Sequence, residues 1–140
     1  MAFREKKAWA TILALLVVFL PYYFVMARTY HQPDPNFYTL MHLALAALVT
    51  FVVLELLLVF IARRMSPEDA NIPLDEREQL FAFRSARAAY ITLIALVILV
   101  SFLNIHAHGA NWGWGMAYLL AIIVSEIVRA TMLLIQYQRG

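Results

Sequence analysis

Thr39–Ala62 reads TLMHLALAALVTFVVLELLLVFIA. Its apolar residues do not alternate with a period of two, so it is not the strand of a membrane barrel. A helix needs about 20 largely apolar residues to cross roughly 30 Å of hydrocarbon. This stretch is long enough, with His42 and Glu55 as its ionisable interruptions. Three more runs share its character: Ala8–Ala27, Ala88–Leu103, and Trp112–Ile135 with Glu126 and Arg129 inside it. The expected fold is therefore an all-α integral membrane four-helix bundle. It forms one transmembrane domain over residues 1–140, with spans at about 8–27, 39–62, 84–104 and 112–136 and a loop at 63–83. No sequence repeat relates the two halves, so an inverted-repeat transporter has no support.

Composition agrees with the spans. Of 140 residues, 64% are hydrophobic and 14% charged, against roughly 45–50% apolar and about 25% charged in a soluble domain. That excludes the disordered and soluble-enzyme classes. The net charge of +2 leaves no basic surface for direct nucleic-acid binding. With no cysteine there are no disulfides, thiolate metal sites or cysteine nucleophiles. Only four glycines are present, and none builds a phosphate loop before a helix. No serine sits with a histidine in a hydrolase pattern. The chain is not expected to be an enzyme.

The basic residues set the orientation. Arg4, Lys6 and Lys7 precede the first span, Arg63, Arg64, Arg77, Arg84 and Arg87 lie between the second and third, and Arg139 follows the fourth. Only Arg28 falls on the opposite side, while Arg129 lies within a span. The positive-inside rule puts both termini and the middle segment in the cytoplasm, and the expected location is the bacterial inner (cytoplasmic) membrane. Tyr22, Tyr23, Phe37, Tyr38, Trp112, Trp114 and Tyr118 mark the outer interface, and Trp9 and Tyr137 the inner one. A signal peptide ending at Val25-Met26-Ala27 is the competing reading of the first span, but its apolar run continues past Pro21. Retention of this span, bent at Pro21, is expected.

The middle segment contains two helix starts. In Ser66-Pro67-Glu68-Asp69, Ser can cap, Pro suits the first helical position and Asp stands where a capping-box acid belongs. Ile72-Pro73 interrupts, because a residue before Pro avoids the helical region. Asp75-Glu76-Arg77-Glu78 then places three acids at the positive end of a helix dipole. Without a breaker from Glu76 to about Asn104, the helix exceeds the bilayer core and its first turns project into the cytoplasm. Leu80, Phe81 and Phe83 ride on this projection beside Arg84 and Arg87. Ala82, Ala86 and Ala89 fall at helical spacing and suit close packing of a neighbour. This region is either a capped helix entrance with interface anchors, or a docking surface for a cytoplasmic protein or a second copy of the chain.

Pro73-Leu74-Asp75-Glu76-Arg77-Glu78 before the third span resembles an uncharacterised family of small four-helix bacterial and archaeal membrane proteins. That family carries an Asp-Glu-Arg-type motif at this place, and its members are often associated with helix-turn-helix regulators. The resemblance implies a regulatory role at the membrane and supplies no catalytic residue.

Glu55, Glu126 and Arg129 are the costly residues within the spans. An ionised group at a membrane-helix centre costs about 2.5–3.5 kcal/mol on insertion scales. Glu126 and Arg129 share a helix face, and Glu55 and Arg129 stand at similar depths for pairing between helices. The three are either a structural ion-pair cluster or the site of a small oligomeric transporter or channel. All four histidines, His31, His42, His106 and His108, fall toward the outer side near Asp34, Asn104 and Asn111. His42, His106 and His108 are the candidates for a haem or metal ion, against plain interfacial polar residues as the alternative. No cofactor is expected from spacing alone. The leading functional expectation is a regulatory or interaction subunit docking a cytoplasmic partner through residues 75–87. The transporter or channel and the haem or metal protein are the alternatives, and a homo-oligomer is open in each.

Overall fold

The computed structural model describes residues 3–30, 36–68, 73, 75–106 and 113–139. Among them there is no strand. The regular elements are four long helices: α1 Phe3–Tyr30, α2 Phe37–Met65, α3 Glu76–His106 and α4 Gly113–Arg139. All four are long and apolar enough to cross a membrane, their most apolar 18-residue stretches having mean hydropathies of 2.2, 2.8, 2.4 and 2.0. At 1.5 Å per residue they measure about 40–46 Å. Each extends past the apolar run that announced it, because the polar flanks contribute good helix formers such as Arg4, Glu5, Lys6 and Lys7.

Two compact units divide the chain, Met1–Asn71 and Ile72–Gly140. The first is an antiparallel pair of α1 and α2. Lys6 Nζ donates to Ser66 Oγ at 2.6 Å, Thr11 Oγ1 to Glu55 Oε1 at 2.8 Å, and the Phe19 and Phe51 rings meet at 5.8 Å. Early residues of α1 thus meet late residues of α2. Ala8, Thr11, Leu15, Val18, Tyr22 and Met26 form a buried stripe at spacings of three and four. Among the described residues of α2, Leu40, Ala47 and Ala62 are buried, and alanines at such contacts let helix backbones approach closely. Asn36 caps α2, its side chain accepting the Tyr38 N–H at 3.0 Å. The helix of α1 continues unbroken through Pro21.

The second unit pairs α3 and α4 in the same antiparallel manner. Ser101 and Tyr118 share a hydroxyl–hydroxyl bond of 2.9 Å, and Phe81 and Tyr137 meet edge-on at 5.6 Å. The buried residues of α3 are Ser85 and Ala89, while Ala82 and Ala86 are exposed. The small-residue contact is therefore rotated by part of a turn from the expected alanine row and leaves two of its alanines outside. Ser85 fits there because its hydroxyl donates to the Ala82 carbonyl at 2.9 Å, so no polar atom is left unpaired. Ser125 does the same on α4, donating to Ile122 O at 2.7 Å.

Both expected helix starts can be followed in part. At Asp75 the Glu78 carboxylate accepts the Asp75 N–H at 3.2 Å, and Asp75 Oδ1 accepts the Glu76 N–H at 2.8 Å. The first helical bond runs from Gln79 N–H to Asp75 O at 2.9 Å. A side chain reaching back from the third helical position is half of a capping box. Pro67 and Glu68 are helical, but Asp69 and Ile72 lie outside the described residues, as does Leu74. Ser66 closes α2, its N–H reaching Arg63 O at 3.4 Å, and its hydroxyl takes the Lys6 ammonium.

Candidate functional site

The 75–87 segment separates into a braced side and an exposed side. Glu78 accepts the Tyr137 hydroxyl at 3.4 Å, Phe81 packs edge-on against the Tyr137 ring, and the Arg77 guanidinium lies 5.3 Å from the Phe81 ring centre. Glu78 and Phe81 thus join the packing of the α3–α4 hairpin, while Arg77 is exposed and lies over Phe81 on its own helix. Asp75, Glu76, Leu80, Phe83, Arg84 and Arg87 are exposed, Phe83 at 66%. Leu80, Phe83, Arg84 and Arg87 recur at three and four residues and so share one face. Tyr137 was legible in the sequence only as an interface marker. An antiparallel hairpin brings the last turn of α4 beside the first turn of α3, which is the signal that would have found its role.

The three charged residues within apolar helices resolve into two local arrangements. Arg129 Nε and Nη2 each lie 2.8 Å from Glu126 Oε2, an ion pair across one turn of α4. Glu126 is the central residue of that helix. Glu55, on α2 in the other unit, accepts from the neutral hydroxyl of Thr11. The acid that Arg129 meets is thus its own helix neighbour, and Glu55 meets a residue that sequence reading had passed over. Thr11 Oγ1 also lies 3.2 Å from Lys7 O. One hydroxyl has one proton, so it serves one of these two acceptors at a time.

No protein-family model, curated protein or solved structure matches the chain.

His42 is exposed near the start of α2. His106 ends α3, its Nδ1 2.8 Å from Phe102 O and its ring 4.1 Å from the Phe102 ring. That contact holds the imidazole against its own helix. His31 and His108, with Asp34 and Asn111, lie outside the described residues. Among the described residues no three His, Cys, Asp or Glu side chains gather where they could hold a metal ion.

Gln136 is a polar residue that sequence reading did not single out. Its Nε2 and Oε1 are both buried with no hydrogen-bond partner among the described residues. Burying an unpaired amide costs about 1–3 kcal/mol in mutational data. Gln136→Leu, of similar volume, is expected to raise the thermal unfolding midpoint of the purified protein. A lower midpoint would mean that the amide is paired.

Proposed function

We propose that this chain spans a bacterial cytoplasmic membrane with both termini and the middle segment inside. There it acts as a regulatory interaction subunit, docking a cytoplasmic protein on the exposed face of residues 75–87. The membrane part is supported by the outward apolar surface of the helices. Only 6% of the most apolar window of α2, and the same share of α3, is buried. Leu56, Leu57 and Phe60 on α2, and Ile91, Ile98 and Phe102 on α3, are all more than half exposed. Apolar faces of this extent call for a non-aqueous neighbour. Orientation is supported within each unit: Lys6 meets Ser66 beside Arg63 and Arg64, and Glu78 meets Tyr137 beside Arg77 and Arg139. Basic residues therefore collect at one end of each hairpin, as the positive-inside rule requires for both.

The observation that carries the docking reading is the bracing of α3 by Tyr137. At 31 residues, α3 outruns the hydrocarbon core by about 15 Å. A lone projecting helix end would fray. Tyr137 holds this one against α4, leaving Leu80, Phe83, Arg84 and Arg87 on a rigid two-helix support. Pre-organisation of this kind lowers the cost of binding. Two apolar side chains beside two arginines suit a partner surface that is acidic around an apolar centre. The resemblance of Pro73–Glu78 to a family associated with helix-turn-helix regulators makes such a regulator the first partner class to test.

A photo-crosslinking residue at position 80 in cells is the direct experiment. One cytoplasmic protein should be captured, and Arg84→Glu with Arg87→Glu should abolish its capture. Tyr137→Ala should weaken it without removing the chain from the membrane. An adduct pattern indifferent to both changes would defeat the docking proposal.

A further inference from the structure

The cytoplasmic end of the α1–α2 hairpin carries a second basic feature, apart from the docking face. A cleft at the end of α2 is lined by Phe60, Arg63, Arg64 and Pro67. The Arg64 guanidinium lies over the Phe60 ring, 5.1 Å from its centre. Stacking uses the face of a guanidinium and keeps its in-plane N–H donors for an oxyanion. Lys6 is held at the same end by its bond to Ser66, two residues beyond Arg64. Glu68, exposed just past Pro67, is the nearest acid along α2 and its continuation. Among the described residues this end of the hairpin carries Arg4, Lys6, Lys7, Arg63 and Arg64 against Glu5 and Glu68, a net positive balance.

We infer that this cleft holds the phosphate of an anionic phospholipid, with an acyl chain along the apolar face of α2. Chemistry selects an amphiphile over free phosphate. Next to the arginines along the helix, Leu56, Leu57, Phe60 and Ile61 are all exposed, so the anion site continues directly into an apolar track. A helix C-terminus already favours positive charge in its last turn. That preference needs neither a cleft nor an arginine stacked on an exposed phenylalanine. The Arg64 guanidinium also offers forked donors that match phosphate oxygens, and Arg63 and Arg64 lie where the apolar run of α2 ends, at headgroup level.

This inference rests on the membrane reading, and its test separates the two. Full-length protein is first reconstituted into phosphatidylcholine vesicles with and without phosphatidylglycerol and washed in alkaline carbonate. Release from both kinds of vesicle would overturn the membrane reading itself. Washed protein is then transferred to mild detergent and its retained lipids are counted by native mass spectrometry. Wild-type chain should retain phosphatidylglycerol over phosphatidylcholine. Arg63→Gln with Arg64→Gln should cut that preference by roughly tenfold or more, while Arg84→Gln with Arg87→Gln should leave it. Equal preference in the wild type and the first variant would overturn the lipid site. Displacement of the lipid by inorganic phosphate at matched concentration would overturn it as well, by showing a bare anion site.

Discussion

Arg129→Gln is expected to destabilise the folded protein in a bilayer by about 2.5–3.5 kcal/mol, the cost of an uncompensated charge at the centre of a membrane helix. Glu126→Gln should cost a similar amount, and the double variant should recover most of the loss. The reason is local. Two of the Arg129 donors lie 2.8 Å from one carboxylate oxygen of Glu126, a single turn away on α4. Either single substitution leaves its partner charged in an apolar helix, whereas the double substitution leaves two neutral amides that can bond to each other or to the backbone. Thermal unfolding of the three reconstituted variants reads this out as a double-mutant cycle. Additive losses would show that the two charges are held by other groups.

Ser85→Leu should separate α3 from α4. Ser85 is 2% exposed, and its hydroxyl is already satisfied by the Ala82 carbonyl. A leucine there has no space, and overpacking costs about 1–3 kcal/mol. Ala82→Leu, three residues earlier and exposed, should stay within about 0.5 kcal/mol of wild type. Since the chain has no native cysteine, spin labels at introduced cysteines 79 and 138 report the spacing directly. The distance should widen in Ser85→Leu and hold in Ala82→Leu. If both variants keep the wild-type distance, the close contact of α3 and α4 is not at Ser85.

These two outcomes draw on different levels of information. The helices were legible because the apolar runs, 16 to 24 residues long, lack a two-residue alternation and approach or reach the length that crosses a membrane, and Asp75 was legible as a start because acids suit the first turn. Glu126–Arg129 was legible as a shared face, since a spacing of three on a helix leaves little freedom. Thr11 as the partner of Glu55, and Tyr137 as the partner of Glu78 and Phe81, were not legible. Those contacts join residues 44, 59 and 56 positions apart, and they depend on the register of one helix against another. Several registers would bury as much apolar surface in a chain so uniformly apolar, so hydropathy alone does not choose among them.

Ala82, Ala86 and Ala89 make the same point on one helix. Their spacing suits a close approach, but of the three only Ala89 is buried, beside Ser85, while Ala82 and Ala86 are exposed. Spacing alone could not say whether Ser85 or the outer alanines would take the close approach, because a rotation of a few tens of degrees exchanges them at little cost in hydropathy. Residue order was enough for four helices, their approximate limits, the capped start of α3 and the shared face of Glu126 and Arg129, while the choice between Glu126 and Glu55 as the partner of Arg129 stayed open. All of these follow from period, length and short-range spacing. The folded chain adds which helices pair, that Ser85 and Ala89 form the tight contact, that Tyr137 braces the start of α3, that Arg129 meets Glu126, and that Glu55 meets a hydroxyl. The contacts between helices are a matter of helix rotation and register, set by the shapes of side chains that meet across a hairpin rather than by their order along it.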